Sequence, residues 1–170
     1  MQADELRAIQ APLKERYRED PGAALVTLCA KASLGEGVTC NVETGRALAA
    51  AGLHPATGGD GAALCSGDML LEALAACAGV TMRAVATALG IPVEGRVSAE
   101  GDLDFRGTLG VDREAPVGFR AIRLRFDLES DADDEKLAKL IQLTERYCVV
   151  LQTLARPPEL SVGTAGSAGA

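Results

Sequence analysis

The sequence predicts an α+β fold built as one domain, on three observations. Residues 67–89 are apolar nearly all round and stop at Gly90-Ile91-Pro92. Two long segments, 93–106 and 118–129, alternate apolar and polar residues in the way of half-buried strands. The order of elements is segregated, with strands beside strands, whereas a parallel α/β sheet would alternate them with helices. With 170 residues, 48% of them hydrophobic, the chain is long enough to bury a core of its own.

The elements follow in chain order. Leu6, Ile9, Leu13 and Tyr17 recur at spacings of three and four, which predicts an amphipathic helix over 4–19, stopped by Pro21-Gly22. Residues 24–33 and 38–44 are rich in Val, Thr and Cys and flank the turn Leu34-Gly35-Glu36-Gly37, so a β-hairpin is expected. With Ser33 opposite Val38, Cys29 would face Val42 and lie diagonal to Cys40. From Gly45 to Gly61 the glycines and His54-Pro55 predict an irregular loop, in which 47–51 has the composition of a helical turn. Ser66 is the expected cap of the central helix at 67–89, with Asp68 placed to meet the positive end of its dipole. Such a helix, with little polar surface, must lie at the centre of the fold.

In the first long strand Val97, Ala99, Leu103 and Phe105 share one face, and in the second Ile122, Leu124, Phe126 and Leu128 do so. Asp residues over 131–134 cap a last amphipathic helix carrying Leu137, Leu140, Ile141 and Leu143, which runs to about Tyr147 and leaves Cys148 at its end. A short strand is expected over 159–162, followed by a disordered tail from 163 to 170.

Charge and cysteine usage narrow the function classes. With 17 basic and 24 acidic residues the net charge is −7, and no basic stripe could neutralise successive phosphates, which excludes nucleic acid as an expected partner. The first twenty residues are charged and periodic rather than signal-like, and the apolar run 69–78 is broken by Glu72. The expectation is a cytoplasmic protein with no membrane segment. Five scattered cysteines, Cys29, Cys40, Cys65, Cys77 and Cys148, with no CxxC pair and a single His, argue against a metal site. No cofactor is implied. In a reducing compartment, thiols that do react are catalytic or redox-sensing rather than permanent staples.

Two of these cysteines sit in segments with a family likeness. LLEALAACAGVTM at 70–82 and ERYCVVLQTL at 145–154 resemble the two cysteine segments of the OsmC/Ohr family, and the resemblance covers about 24–162. It implies an antiparallel sheet with a long central helix in an intertwined homodimer. Residues 1–23 become an N-terminal helical extension, 24–162 the domain and 163–170 a tail. The implied activity is reduction of organic hydroperoxides in an oxidative or osmotic stress response. Cys77 would be the attacking thiolate, Cys148 the resolving thiol, and an external dithiol the reductant. The chain departs from the family's peroxidase pattern in two places. Gly67, in Cys65-Ser66-Gly67-Asp68, occupies the position of the Glu that anchors an activating Arg, so Asp68 is the residue left to substitute for it. Arg46 is the candidate for that Arg. Val149 stands where a Pro usually follows the second cysteine. Without the anchor, Cys77 is expected to titrate closer to a free thiol than in a strong peroxidase.

Other readings of the same residues stay open. Cys77 and Cys148 could each be a small packing residue. Cys29 and Cys40 read as core or cross-strand residues, and Cys65 as a third redox thiol or simply the residue before a cap. His54 either lines a site above the central helix or satisfies a loop carbonyl, Asp68 is accounted for by its helix terminus alone, and Glu72, 140° around the helix from Cys77, is not an adjacent base. The alternative function is a non-catalytic member that binds a hydrophobic small molecule in the dimer cleft.

Overall fold

A computed structural model describes residues 2–5, 8, 11, 19, 31–34, 39–43, 48–110 and 112–164 of the chain. Residues 3–5, 8, 11 and 19 are helical, which agrees with the helix expected there. Cys29, Arg46 and the tail 165–170 lie outside the described residues.

Strands β1 (Lys31–Leu34), β2 (Thr39–Glu43), β3 (Leu48–Gly52) and β4 (Leu64–Cys65) form one sheet in that order. The hairpin forms, but its register lies three residues from the expected one: Ser33 pairs with Asn41 rather than Val38, and Val42 faces Ala32 rather than Cys29. The reason is that β2 is paired on both edges, with β3 running antiparallel from Thr39↔Gly52 to Glu43↔Leu48, so the whole sheet sets the register. Residues 48–52, expected to lie in an irregular loop with the composition of a helical turn, likewise form a strand. Alanine's helix preference is worth only a few tenths of a kcal/mol per residue and cannot nucleate a helix over one turn, whereas β3 gains a ladder on each side. A 3₁₀ turn at Pro55–Thr57 follows, and β4 then pairs parallel to β3 and delivers the chain to the central helix.

That helix, α1 (Ser66–Leu89), buries Leu74, Ala78, Met82 and Ala86, one stripe at spacings of four. Its cap is Cys65, not Ser66, and Cys65 makes no side-chain capping hydrogen bond, so the first-turn charge of Asp68 is what the sequence supplies there. At the other end Gly90 adopts φ +67 and donates its N–H to Ala86 and Thr87, while the N–H of buried Ile91 reaches Ala86 O at 2.9 Å, a Schellman-type stop. The apolar run is longer than the sequence reading allowed: by length and composition alone, 24 residues at a mean hydropathy of 1.5, α1 could cross a bilayer. Its stripe is instead packed into the protein's core.

Strands β5 (Glu94–Leu103) and β6 (Phe119–Glu129) form a separate antiparallel ribbon, from Glu94↔Glu129 to Leu103↔Phe119, with an irregularity at Asp102/Leu103. The alternation ends earlier than expected. Asp104 accepts the N–H of Arg106 at 3.2 Å and starts a helical turn, α2 (Phe105–Thr108), so Phe105 and Arg106 leave the strand. After β6, Asp133 caps α3 (Asp134–Tyr147) by accepting Lys136 N–H at 2.8 Å, and a short α4 (Val149–Ala155) follows. No strand forms over 159–162. Pro157 and Pro158 bring no N–H donor, no described strand pairs with the segment, and Leu160 and Val162 are exposed.

Two apolar clusters line α1. Met82, Ala86, Ile91, Val93 and Leu140 form the one at its C-terminal half. Leu74, Ala78 and Cys148 form the other, packed against Val97, Ala99, Ile122 and Leu124 of the ribbon and against Val150, Leu151 and Leu154 of α4. The opposite face of α1, carrying Ala73, Ala76 and Val80, is open, with Val80 72% exposed.

Candidate functional site

The second cluster brings Cys77 and Cys148 together. Cys77 lies at the middle of α1 on the flank of its buried stripe, partly exposed. Cys148 is fully buried at the junction of two helices, closing α3 and opening α4. Its φ of −72° and ψ of +106° are extended, which breaks the helical run. Its N–H still reaches Thr144 O at 2.9 Å, and its carbonyl accepts from Gln152 at 2.9 Å, so the junction is tied on both sides. The side chain of Gln152 donates to Glu145 O at 2.8 Å and holds the bend closed. The first backbone N–H groups of α4 thereby point at the sulfur of Cys77.

The two thiols are unlike in charge preference. Burial pushes the Cys77 thiol up, but the N–H groups of Val150 and Val149, the thiol of Cys148 and the hydroxyl of Thr81 all hydrogen-bond to its sulfur and together bring it below its ordinary range. Cys148 is pushed up, by burial first and by the neighbouring Cys77 as well, against the pull of the Leu151 and Val150 N–H groups. Of the two, the more accessible sulfur is therefore the one that ionises more readily, and Cys148 keeps its proton to higher pH. Among the described residues the donors that lower Cys77 are neutral, with no guanidinium among them, and Arg46 lies outside those residues.

The other sequence-derived candidates lie elsewhere. Asp68 is exposed in the first turn of α1, nine residues and so about 13 Å along the axis from Cys77. Gly67 leaves room, since a Cβ there would meet Phe119, Leu103 and the sulfur of Cys65 at 3.5–3.6 Å. Cys65 is partly exposed and lines, with His54, Phe105 and Phe119, a separate cavity of about 270 Å³. His54 has a loop role, but with an N–H rather than a carbonyl: its Nδ1 accepts from Ala56 at 3.0 Å, and its ring stacks on Phe105 at 5.0 Å. Cys40 stands in β2 opposite Leu34 and Ala51. No group of three or more metal-ligating side chains occurs among the described residues. What sequence reasoning missed are the donors. Thr81, one turn beyond Cys77, had an available signal in its spacing; the N–H groups of Val149 and Val150 had none, being backbone.

The OsmC-like protein family model matches residues 58–163, which include both thiols. Among solved structures, an OsmC-like protein from Mycoplasma pneumoniae is similar at 20% identity with a TM-score of 0.65, covering 78% of this chain and 89% of that one. An organic hydroperoxide resistance protein of Legionella pneumophila is similar at 18% identity and a TM-score of 0.58, over 78% and 91% of the two chains. That of Bacillus subtilis gives 18% and 0.53, over 78% and 93%. No curated protein matches the sequence. At these identities the solved structures establish the fold and nothing finer.

Proposed function

The chain belongs to the OsmC-like protein family, and from that premise we propose that it reduces organic hydroperoxides with the thiols of Cys77 and Cys148. The observation that carries the proposal is the packing of Cys77 in one cluster with the buried free thiol of Cys148, the first with its pKa lowered and the second with its pKa raised. Two of the similar solved structures bear the name organic hydroperoxide resistance protein, which agrees with this reading.

The Cys77 thiolate attacks the distal oxygen of ROOH. The O–O bond breaks, the alkoxide takes a proton and leaves as ROH, and Cys77 is left as a sulfenic acid. Cys148 then attacks that sulfur, loses its proton and expels water, so that a Cys77–Cys148 disulfide forms. A dithiol from outside the protein reduces the bridge by two exchanges and is itself oxidised to a disulfide. Cys77 suits the first step because only the thiolate attacks, and a lowered pKa raises its fraction at neutral pH. Cys148 suits the second, since it is held at hydrogen-bonding reach and stays protonated until needed. In the cell this activity would serve an oxidative or osmotic stress response, and Asp68 and Arg46 keep no assigned step.

The exposed apolar face of α1, Ala73, Ala76 and Val80, supports pairing with a second copy of the chain. A second reading, binding of a hydrophobic small molecule without chemistry, is favoured by the cavity of about 500 Å³ beside that face, lined by Ala76, Gly79, Val80, Val97 and Leu128. Single-turnover consumption of cumene hydroperoxide separates the two. The proposal expects loss of peroxide by the parent protein and none by Cys77→Ser, whereas equal loss, or no loss from either, leaves the binding reading.

A further inference from the structure

We propose that the outer side of the α3–α4 junction binds a small organic carboxylate, with Arg146 and Arg156 holding the charge and Tyr147, Val149 and Pro158 the apolar body. Together with Gln152 and Thr153 these residues line a cavity of about 470 Å³, within the size range of small-molecule sites. The site is independent of any chemistry at Cys77.

Val149, Gln152, Thr153 and Arg156 fall on one face of α4 by their helical spacing, while Val150, Leu151 and Leu154 turn toward α1 and pack against its cluster. The cavity therefore lies across α4 from the thiol pair and is not a path to it. Arg146 stands in the last turn of α3 and Arg156 at the C-terminal cap of α4, so the two bracket the bend that has Cys148 at its apex.

The guanidinium carbon of Arg146 sits over the Tyr147 ring, 5.6 Å from its centre. Stacked by its face, a guanidinium leaves its N–H edges free for the two oxygens of a carboxylate. Neither Arg146 nor Arg156 forms an ion pair with an acid among the described residues, and the acids near them in sequence, Glu145 and Glu159, do not line the cavity. Two unneutralised cations in one cavity repel each other, and an anion between them relieves that repulsion, here in a chain whose net charge is −7. Beside them Tyr147 and Val149 are 57% and 71% exposed, apolar area that a bare anion would leave in water. A carboxylate on a short hydrocarbon body meets both needs, its oxygens on the guanidiniums and its body over Tyr147, Val149 and Pro158.

The test is titration calorimetry of the full reduced chain with 3-phenylpropionate. Saturable binding of one equivalent per chain is expected, weakened about tenfold or more in Arg146→Gln and in Arg156→Gln, since each loses a charge-assisted hydrogen bond. Arg125→Gln, which removes an exposed cation from the ribbon, and Cys77→Ser should each bind as the parent does. Absence of saturable heat overturns the inference. Equal affinity for 3-phenylpropan-1-ol does so too, since the charge would then be idle, and equal affinity for inorganic phosphate would leave the apolar body idle. A loss in Arg125→Gln as large as in the other two would mean diffuse attraction rather than a site, and a loss in Cys77→Ser would put the carboxylate at the thiols instead. If Arg146→Gln fails to fold, Arg146→Lys keeps the charge at the helix end but not the planar fork, and the parent's affinity in that variant also overturns the inference.

Discussion

Cys77 and Cys148 hydrogen-bond to one another but are driven in opposite directions, and the sign of each shift gives a test. A lowered pKa means that Cys77 ionises at a pH below the ordinary thiol range, and a raised one keeps Cys148 protonated above it. Alkylation is therefore expected at Cys77 at a lower pH than at Cys148, and mass mapping over a pH series reads both. Equal labelling of the two, or Cys148 first, would mean that the donors do not reach Cys77 in solution. The same asymmetry predicts that Cys148→Ser still attacks peroxide but stops at the sulfenic acid, which dimedone would trap. Roles at this scale were only partly legible in the sequence. Both cysteines were found through their family likeness, since neither spacing nor composition brings 77 to 148. The backbone donors went unread because N–H groups carry no residue signature, whereas the four-residue spacing of Thr81 from Cys77 was a sign left unused.

The elements differ in how far their local pattern decides them. The helix α1 and the strands β5 and β6 were legible to within a few residues, because an apolar stripe, a Gly stop and strict alternation are properties of the segment itself. The strand β3 and the hairpin register were not, because both depend on partners distant in sequence. Gly95 is a further case. Its φ of +134° suits glycine, and a Cβ would lie 2.0 Å from Asp127 O on the facing strand, although nothing in the alternation marks it as special. Gly95→Ala should lower stability by at least about 2 kcal/mol, seen as a reduced urea midpoint, and an unchanged midpoint would show that the ribbon is looser there than its geometry. At the far end of β5, hydrogen bonds from Arg106, outweighing some desolvation, hold the Asp104 carboxyl at about 2. A depressed folded pKa contributes stability above the unfolded carboxylate value, about 4, and loses it as pH falls from there toward about 2. Asp104→Asn should accordingly be less stable than the parent at pH 7 and converge with it near pH 2. Parallel stability curves across that window would contradict the pairing.

On the scale of the whole molecule, the unanswered surface is the open face of α1. A helix apolar nearly all round needs cover on every side, and its buried residues among those described are the stripe Leu74, Ala78, Met82 and Ala86. Pairing of two copies through Ala73, Ala76 and Val80 is the expected cover, so sedimentation at micromolar concentration should give a dimer, and a folded monomer there would mean that this face tolerates water. The sequence indicated the need for cover from the helix's composition, but not which face stays open, since that follows from where β5, β6, α3 and α4 pack.

The proposed chemistry comes down to one bond, between Cys77 and Cys148. One equivalent of cumene hydroperoxide added to the reduced protein, followed by thiol blocking and peptide mapping, should give one equivalent of alcohol and a Cys77–Cys148 disulfide, with Cys29, Cys40 and Cys65 recovered as thiols. Peroxide left unconsumed, or a bridge joining Cys77 to any cysteine other than Cys148, would contradict it.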